Sequence, residues 1–147
     1  MGIFDKVFGG GGDKITLNRA EAFAGVLLAT AAADGHISQE EGNNLFAALS
    51  RMQMFASFSG DQMQAIMNKL MGIIKRQGPG ALVSASAATC PPELKPTVFC
   101  LAVDLVLSDG VVDENEKKII NHIQDALSVP DEVASKIIDV MMIKNKG

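Results

Sequence analysis

The sequence contains no tryptophan and no tyrosine, yet it holds eight methionines. That balance suggests a core filled by flexible aliphatic side chains, tolerant of repacking. Only two cysteines occur, Cys90 and Cys100, too few and wrongly spaced for a disulfide framework or a zinc site. A reducing cytoplasm is the expected home. No run of eighteen apolar residues exists, so nothing is expected to span a bilayer. The most apolar stretch, Val98 to Leu107, is too short and carries Asp104 in its middle. The N-terminus lacks the basic region and long apolar region of an export signal, so the chain is expected to stay where it is made. Basic runs are missing and the net charge is −4, which argues against nucleic acid as a partner. Alternating apolar–polar strands and Asn-Gly hairpin turns are absent, as are Ser-His-Asp order, a phosphate loop and a metal-binding histidine pattern. No catalytic machinery is visible, and a non-enzymatic protein is expected.

What is present is 147 residues, 48% apolar and 20% charged, enough for one folded domain with a proper core. Residues 1–12 read as a flexible N-terminal tail, with Ile3, Phe4, Val7 and Phe8 followed by the joint Gly9 to Gly12. A sharper reading makes that tail a small amphipathic foot for a membrane surface or a partner groove. Residues 13–147 read as the helical domain.

Within it, Asn18 with Glu21 signals a first helix carrying Leu17, Ala20, Phe23, Ala24, Leu27, Leu28 and Ala31. Ser38 with Glu41 opens a second, with Leu45, Phe46 and Leu49 inward. Ser59 to Gln62 opens a third, which Gln77-Gly78-Pro79-Gly80 ends. Ala81 to Thr89 predicts a short fourth helix of small residues. The fifth, roughly Pro96 to Ser108, is apolar nearly all round and is expected at the centre of the core. Asp113 and Glu116 cap a sixth, with Ile119, Ile120, Ile123 and Leu127 inward. A seventh starts at Pro130, with Val133, Ile137, Ile138 and Met141 forming its face. The expected fold is all-α, a single compact bundle of about seven helices.

Two stretches organise this chain. Ala33-Asp34-Gly35-His36-Ile37-Ser38-Gln39-Glu40-Glu41 returns as Ser108-Asp109-Gly110-Val111-Val112-Asp113-Glu114-Asn115-Glu116. The bundle therefore reads as two related helix–acidic turn–helix units. Each turn matches the second half of an EF-hand loop: Asp at position five, Gly at six, Ile or Val at eight, Glu at twelve. Positions one and three fall on Thr30 and Ala32, and on Leu105 and Leu107, so these are not EF-hands.

A reduced site for a hard cation, Ca²⁺ or Mg²⁺, remains open, with weak binding expected from so few ligands. Its candidate ligands are Asp34, Glu41, Asp109, Asp113 and Glu116, with Asp104, Glu40 and Glu114 as secondary candidates. The second turn is richer in acids and is the better site, unless the two turns come together and share one ion. Helix caps alone account for Gly35, Ser38, Glu41, Gly110, Asp113 and Glu116. Caps do not demand an Asp before each Gly. Asp104 either lies on a solvent stripe or needs a partner, with Lys117, Lys118 or a cation available. His36 and His122 are isolated and read as surface or packing residues. Cys100 reads as an inert core thiol, whereas Cys90 reads as the more accessible one.

Ala31-Ala32-Ala33-Asp34-Gly35-His36-Ile37 with Glu41, and Leu107-Ser108-Asp109-Gly110-Val111-Val112 with Glu116-Lys117-Lys118, resemble the tellurite-resistance TerB family and its TerB-like relatives. The resemblance implies a helical bundle and a metal site built from acidic residues of both repeats. It also implies work in a bacterial stress-response complex with membrane and calcium-binding partners. The expected role is a divalent-cation-binding adaptor or sensor, cytoplasmic or peripheral at the inner face of the cell membrane. The alternative is a metal-free protein-interaction module at that membrane surface, and a distant third is a thiol reductase using Cys90.

Overall fold

Local capping chemistry sets where the helices begin. The structure, a computed structural model, describes residues 14–108 and 110–146. The expected tail, residues 1–12, and the candidate ligand Asp109 lie outside the described residues. Among the described residues there are seven α-helices, two short 3-10 turns and no strand. The helices are α1 (Arg19–Ala31), α2 (Gln39–Ser50), α3 (Gly60–Gln77), α4 (Pro79–Thr89), α5 (Lys95–Leu107), α6 (Glu114–Ala126) and α7 (Asp131–Lys144).

Four of them open with a reciprocal capping box: Asn18 with Glu21, Ser38 with Glu41, Ser59 with Gln62, and Asp113 with Glu116. Each box satisfies two backbone N–H groups that a helix start leaves unpaired. Only Gly78, at φ 88°, separates α3 from α4. Helix α4 thus begins two residues earlier than its alanines predict, because Pro79 fits a first helical turn, where its missing N–H costs nothing.

The centre of the core belongs to α1, where Ala22 to Thr30 are buried without a break, and not to α5 as its composition suggests. Small residues explain the difference. Ala22, Ala24, Gly25 and Ala29 let α2, α3, α4, α5 and α6 all approach α1. Helix α5 buries Val98, Phe99, Ala102, Val103 and Val106, while Cys100, Asp104 and Leu105 stay half-exposed. Phe and Leu dominate the interior: Phe23, Phe55, Phe99, Leu28, Leu49, Leu70 and Leu82 are fully buried. Of the described methionines, Met63 and Met67 are buried in the core, and Met52, Met54, Met71 and Met141 pack against it.

Helix α7 lies at the edge, against α5. Its inward positions are Ala134, Ile137, Ile138 and Met141, and Val133 faces outward in place of the expected inward role. The smaller Ala134 allows the closer approach. No helix of the described residues is long and apolar enough to cross a membrane.

Candidate functional site

At the first junction, α1 stops at Ala32 and the chain reverses through Gly35, which adopts φ 91°. Its counterpart Gly110 adopts φ 79° after α5. Left-handed backbone of this kind suits glycine because a Cβ would crowd the following carbonyl. The Asp34 carboxylate Oδ1 accepts from the His36 backbone N–H at 2.9 Å. This local closure gives Asp34 a turn-forming role that spacing does not reveal.

The capping residues follow. Ser38 N–H donates to Glu41 Oε1 at 3.1 Å, and Glu41 N–H donates to Ser38 Oγ at 3.0 Å. In the second junction Asp113 N–H donates to Glu116 Oε1 at 3.1 Å, and Glu116 N–H donates to Asp113 Oδ1 at 2.8 Å.

These two junctions open on one cavity of about 370 Å³. Asp34 and Glu41 line it from the first, Asp113 and Glu116 from the second. No Lys or Arg is among its described lining residues, and the four carboxylates of Asp34, Glu41, Asp113 and Glu116 border one space. Like charges so placed favour a cation between them. Among the described residues, however, no three His, Cys, Asp or Glu side chains gather at the spacing of a finished metal site.

The secondary candidates lie outside this lining. Glu40 and Glu114 are exposed, and Glu114 pairs with Lys117 at 3.2 Å. Asp104 accepts from Lys144 Nζ at 3.1 Å and from Asn145 Nδ2 at 2.7 Å. Its partner is thus the end of α7, and not Lys117 or Lys118. Forty positions of sequence separate the two, and only the packing of α7 on α5 brings them together.

His36, which the sequence reads as a surface or packing residue, and Asn44, which sequence reasoning passed over, also line the cavity. His36 lies two residues after Asp34 inside the turn. Asn44 lies three after Glu41, on the same helical face. Either spacing could have signalled the placement.

Three other side chains of potential chemistry have defined surroundings. His122 Nε2 lies 3.1 Å from the Gly80 carbonyl oxygen and 3.3 Å from Ser84 Oγ. A carbonyl only accepts, so Nε2 carries the proton and cannot serve as a base toward Ser84. His122 ties α6 to the start of α4. Cys90, expected to be accessible, is 4% exposed, and burial pushes its thiol above the ordinary range, with the Glu93 carboxylate adding to the shift and Lys95 and Arg19 opposing it. Cys100, expected in the core, is half-buried, and burial followed by the nearby Asp104 raises it too. Neither is held as a reactive thiolate.

The molecule is therefore an all-helical bundle whose two acidic helix junctions face one cleft. Within that class the chain belongs to the TerB family, since the family model for tellurite resistance protein TerB matches residues 20–137. The matched span runs from α1 into α7 and takes in both junctions. Comparison with curated proteins and with solved structures gives no match.

Proposed function

We propose that the protein is a non-enzymatic, cation-responsive adaptor of the tellurite-resistance type. In this reading a weakly held divalent cation draws the two acidic junctions together. The observation that carries it is the shared cavity lined by Asp34 and Glu41 on one side and Asp113 and Glu116 on the other. The bonds described above use one carboxylate oxygen of each of Asp34, Glu41 and Asp113. The other oxygen of each can serve an ion without breaking a cap.

Carboxylate oxygens suit hard cations, Ca²⁺ or Mg²⁺, and a site with few ligands and solvent access binds weakly. Because no three acids stand at finished coordination distance, occupancy requires movement of the starts of α2 and α6. A ligand that favours the closed arrangement shifts the population toward it, which is what a sensor needs. Protein partners of a stress-response complex, at the cytoplasmic face of a membrane, are the proposed readers of that change. Tellurite itself is an anion, and four carboxylates repel it, so the oxyanion is not the proposed ligand of this cleft.

Calcium titration followed by amide NMR is the test. Shifts confined to residues 34–41 and 110–116, saturating in the millimolar range, are expected. Spectra unchanged at that concentration would end the cation reading.

A further inference from the structure

We propose that the groove between α2 and α3 is a docking site for the chain's own residues 1–8, independent of the cation cleft. The two helices present the same spacing to it, Gln39, Gly42, Asn43 and Phe46 from α2 and Gln64, Met67, Asn68 and Met71 from α3. Each set stands at i, i+3, i+4 and i+7, the stripe against which a further helix packs. Leu28 and Ile37 complete the apolar lining of a space of about 420 Å³. Ile37, Phe46 and Met71 are half-buried, so part of their apolar surface is still uncovered. Nothing stands within 4 Å of a Cβ at Gly42, which leaves that side of α2 open to close approach. Helix α2 is thinly anchored, since only Leu45 and Leu49 of its 12 residues are buried.

Charge and reach select the occupant. No Asp, Glu, Lys or Arg is among the described lining residues. Gln64 Nε2 donates to Asn68 Oδ1 at 3.0 Å, so this rim pairs with itself and offers a charged partner no ionic contact. Residues 1–8 bring Ile3, Phe4, Val7 and Phe8, positions that fall on one side of a helix, with Asp5 and Lys6 offsetting each other in charge. They are also tethered nearby. The Thr16 carbonyl accepts from Lys69 Nζ at 2.9 Å, which ties the start of the described chain to the middle of α3, next along from Asn68. From there residues 9–15, which include Gly9 to Gly12, extend up to about 23 Å. A linker this short supplies an effective concentration in the millimolar range. A small apolar groove therefore suffices for a tethered segment, whereas a stable dimer of separate copies buries roughly 800 Å² per partner. Met67 and Met71, with their flexible thioethers, can adapt to an aromatic ring.

Methionine-methyl NMR of the full chain, with chelator present, is the test. Phe4→Ser/Phe8→Ser should shift the Met67 and Met71 signals and leave those of Met52 and Met54 in place. Chymotryptic cleavage after Phe4 and Phe8 should quicken at least about fivefold in Asn43→Glu/Asn68→Glu, which places charge at two exposed rim positions and keeps the circular dichroism of the wild type. Met67 and Met71 signals that do not move overturn the proposal. Shifts at Met52 and Met54 in their place assign the segment to the recess beside Arg19 and overturn it as well. So does a Met71 shift that grows with protein concentration alongside a dimer in sedimentation equilibrium, which seats the segment on a second copy. Cleavage unchanged in Asn43→Glu/Asn68→Glu shows that the groove gives the segment no protection, and also counts against it.

Discussion

Asp113 combines two tasks in one side chain, since it caps α6 and lines the shared cavity. Substitution can separate them. Asp113→Ala removes the acceptor as well as the charge and should lower stability by about 0.5–2 kcal/mol. Asp113→Asn keeps an acceptor for the Glu116 N–H, so its Tm should stay close to wild type while its calcium response falls. Equal calcium binding by wild type and Asp113→Asn would show that the acid is there for the cap alone. At Gly35, where φ is 91° and nothing stands within 4 Å of a Cβ, the cost of alanine is backbone strain, about 1–2 kcal/mol by chemical denaturation. The thiols give a pH signature. Burial raises Cys90 and Cys100 in the folded state, so the stability they contribute is present below the thiol range of the unfolded chain and lost as pH rises through the folded values. Tm should therefore fall toward alkaline pH, with a shallower slope in Cys90→Ala; an identical slope would refute it. The capping residues could all be read from the sequence, because a cap and its partner stand three positions apart. The burial of Cys90 and the Asp104–Lys144 pair could not, because both depend on packing between distant helices.

Between elements, α1 and α4 approach closely at Gly25. A methyl group at Gly25 would collide with Ser86 Oγ and press on Leu82 Cδ1 at 3.2 Å. Glycine is thus required here by proximity, unlike at Gly35, where it is required by backbone conformation. Gly25→Ala should destabilise the protein by about 1–3 kcal/mol through overpacking. Ser86 Oγ is fully buried and accepts or donates no bond among the described residues. Ser86→Ala should therefore be neutral or stabilising, since it removes a desolvated hydroxyl without orphaning a partner. Urea unfolding of both variants decides the matter, and a marked loss in Ser86→Ala would imply a bonded hydroxyl. This contact also explains why the central helix was hard to foresee. Helix α5 has the longer run of large apolar residues, yet large side chains hold neighbours away. The small residues of α1 admit them on every side. Hydropathy ranks α5 first, whereas packing ranks α1 first. On α7 the expected Ile137, Ile138 and Met141 do pack inward, and only Val133 differs for the same reason, with the smaller Ala134 inward in its place.

At the scale of the whole molecule, the two junctions are separated by seventy-five positions and meet only because α1 and α5 pack together. The acidic pattern of each junction was legible in the sequence, but their convergence on a single cavity was left open there, because spacing carries no information about which helices are neighbours. That convergence makes a cation a link between the two ends of the chain. An ion held by Asp34 or Glu41 together with Asp113 or Glu116 favours the folded state over any state in which α1 and α5 have parted. For a site with millimolar affinity, tenfold excess calcium stabilises by about 1.4 kcal/mol, which should raise Tm by about 3–6 °C. Sodium chloride at matched ionic strength should do less, because screening relieves repulsion without bridging carboxylates. Single neutralisations on opposite sides of the cleft, Glu41→Gln and Asp113→Asn, should each abolish most of the calcium increment, and combining them should add little further. That non-additivity distinguishes one shared ion from two independent ones, since separate sites would lose their increments separately. A calcium effect matched by sodium chloride, or two losses that simply sum, would mean that the junctions face each other without sharing a ligand.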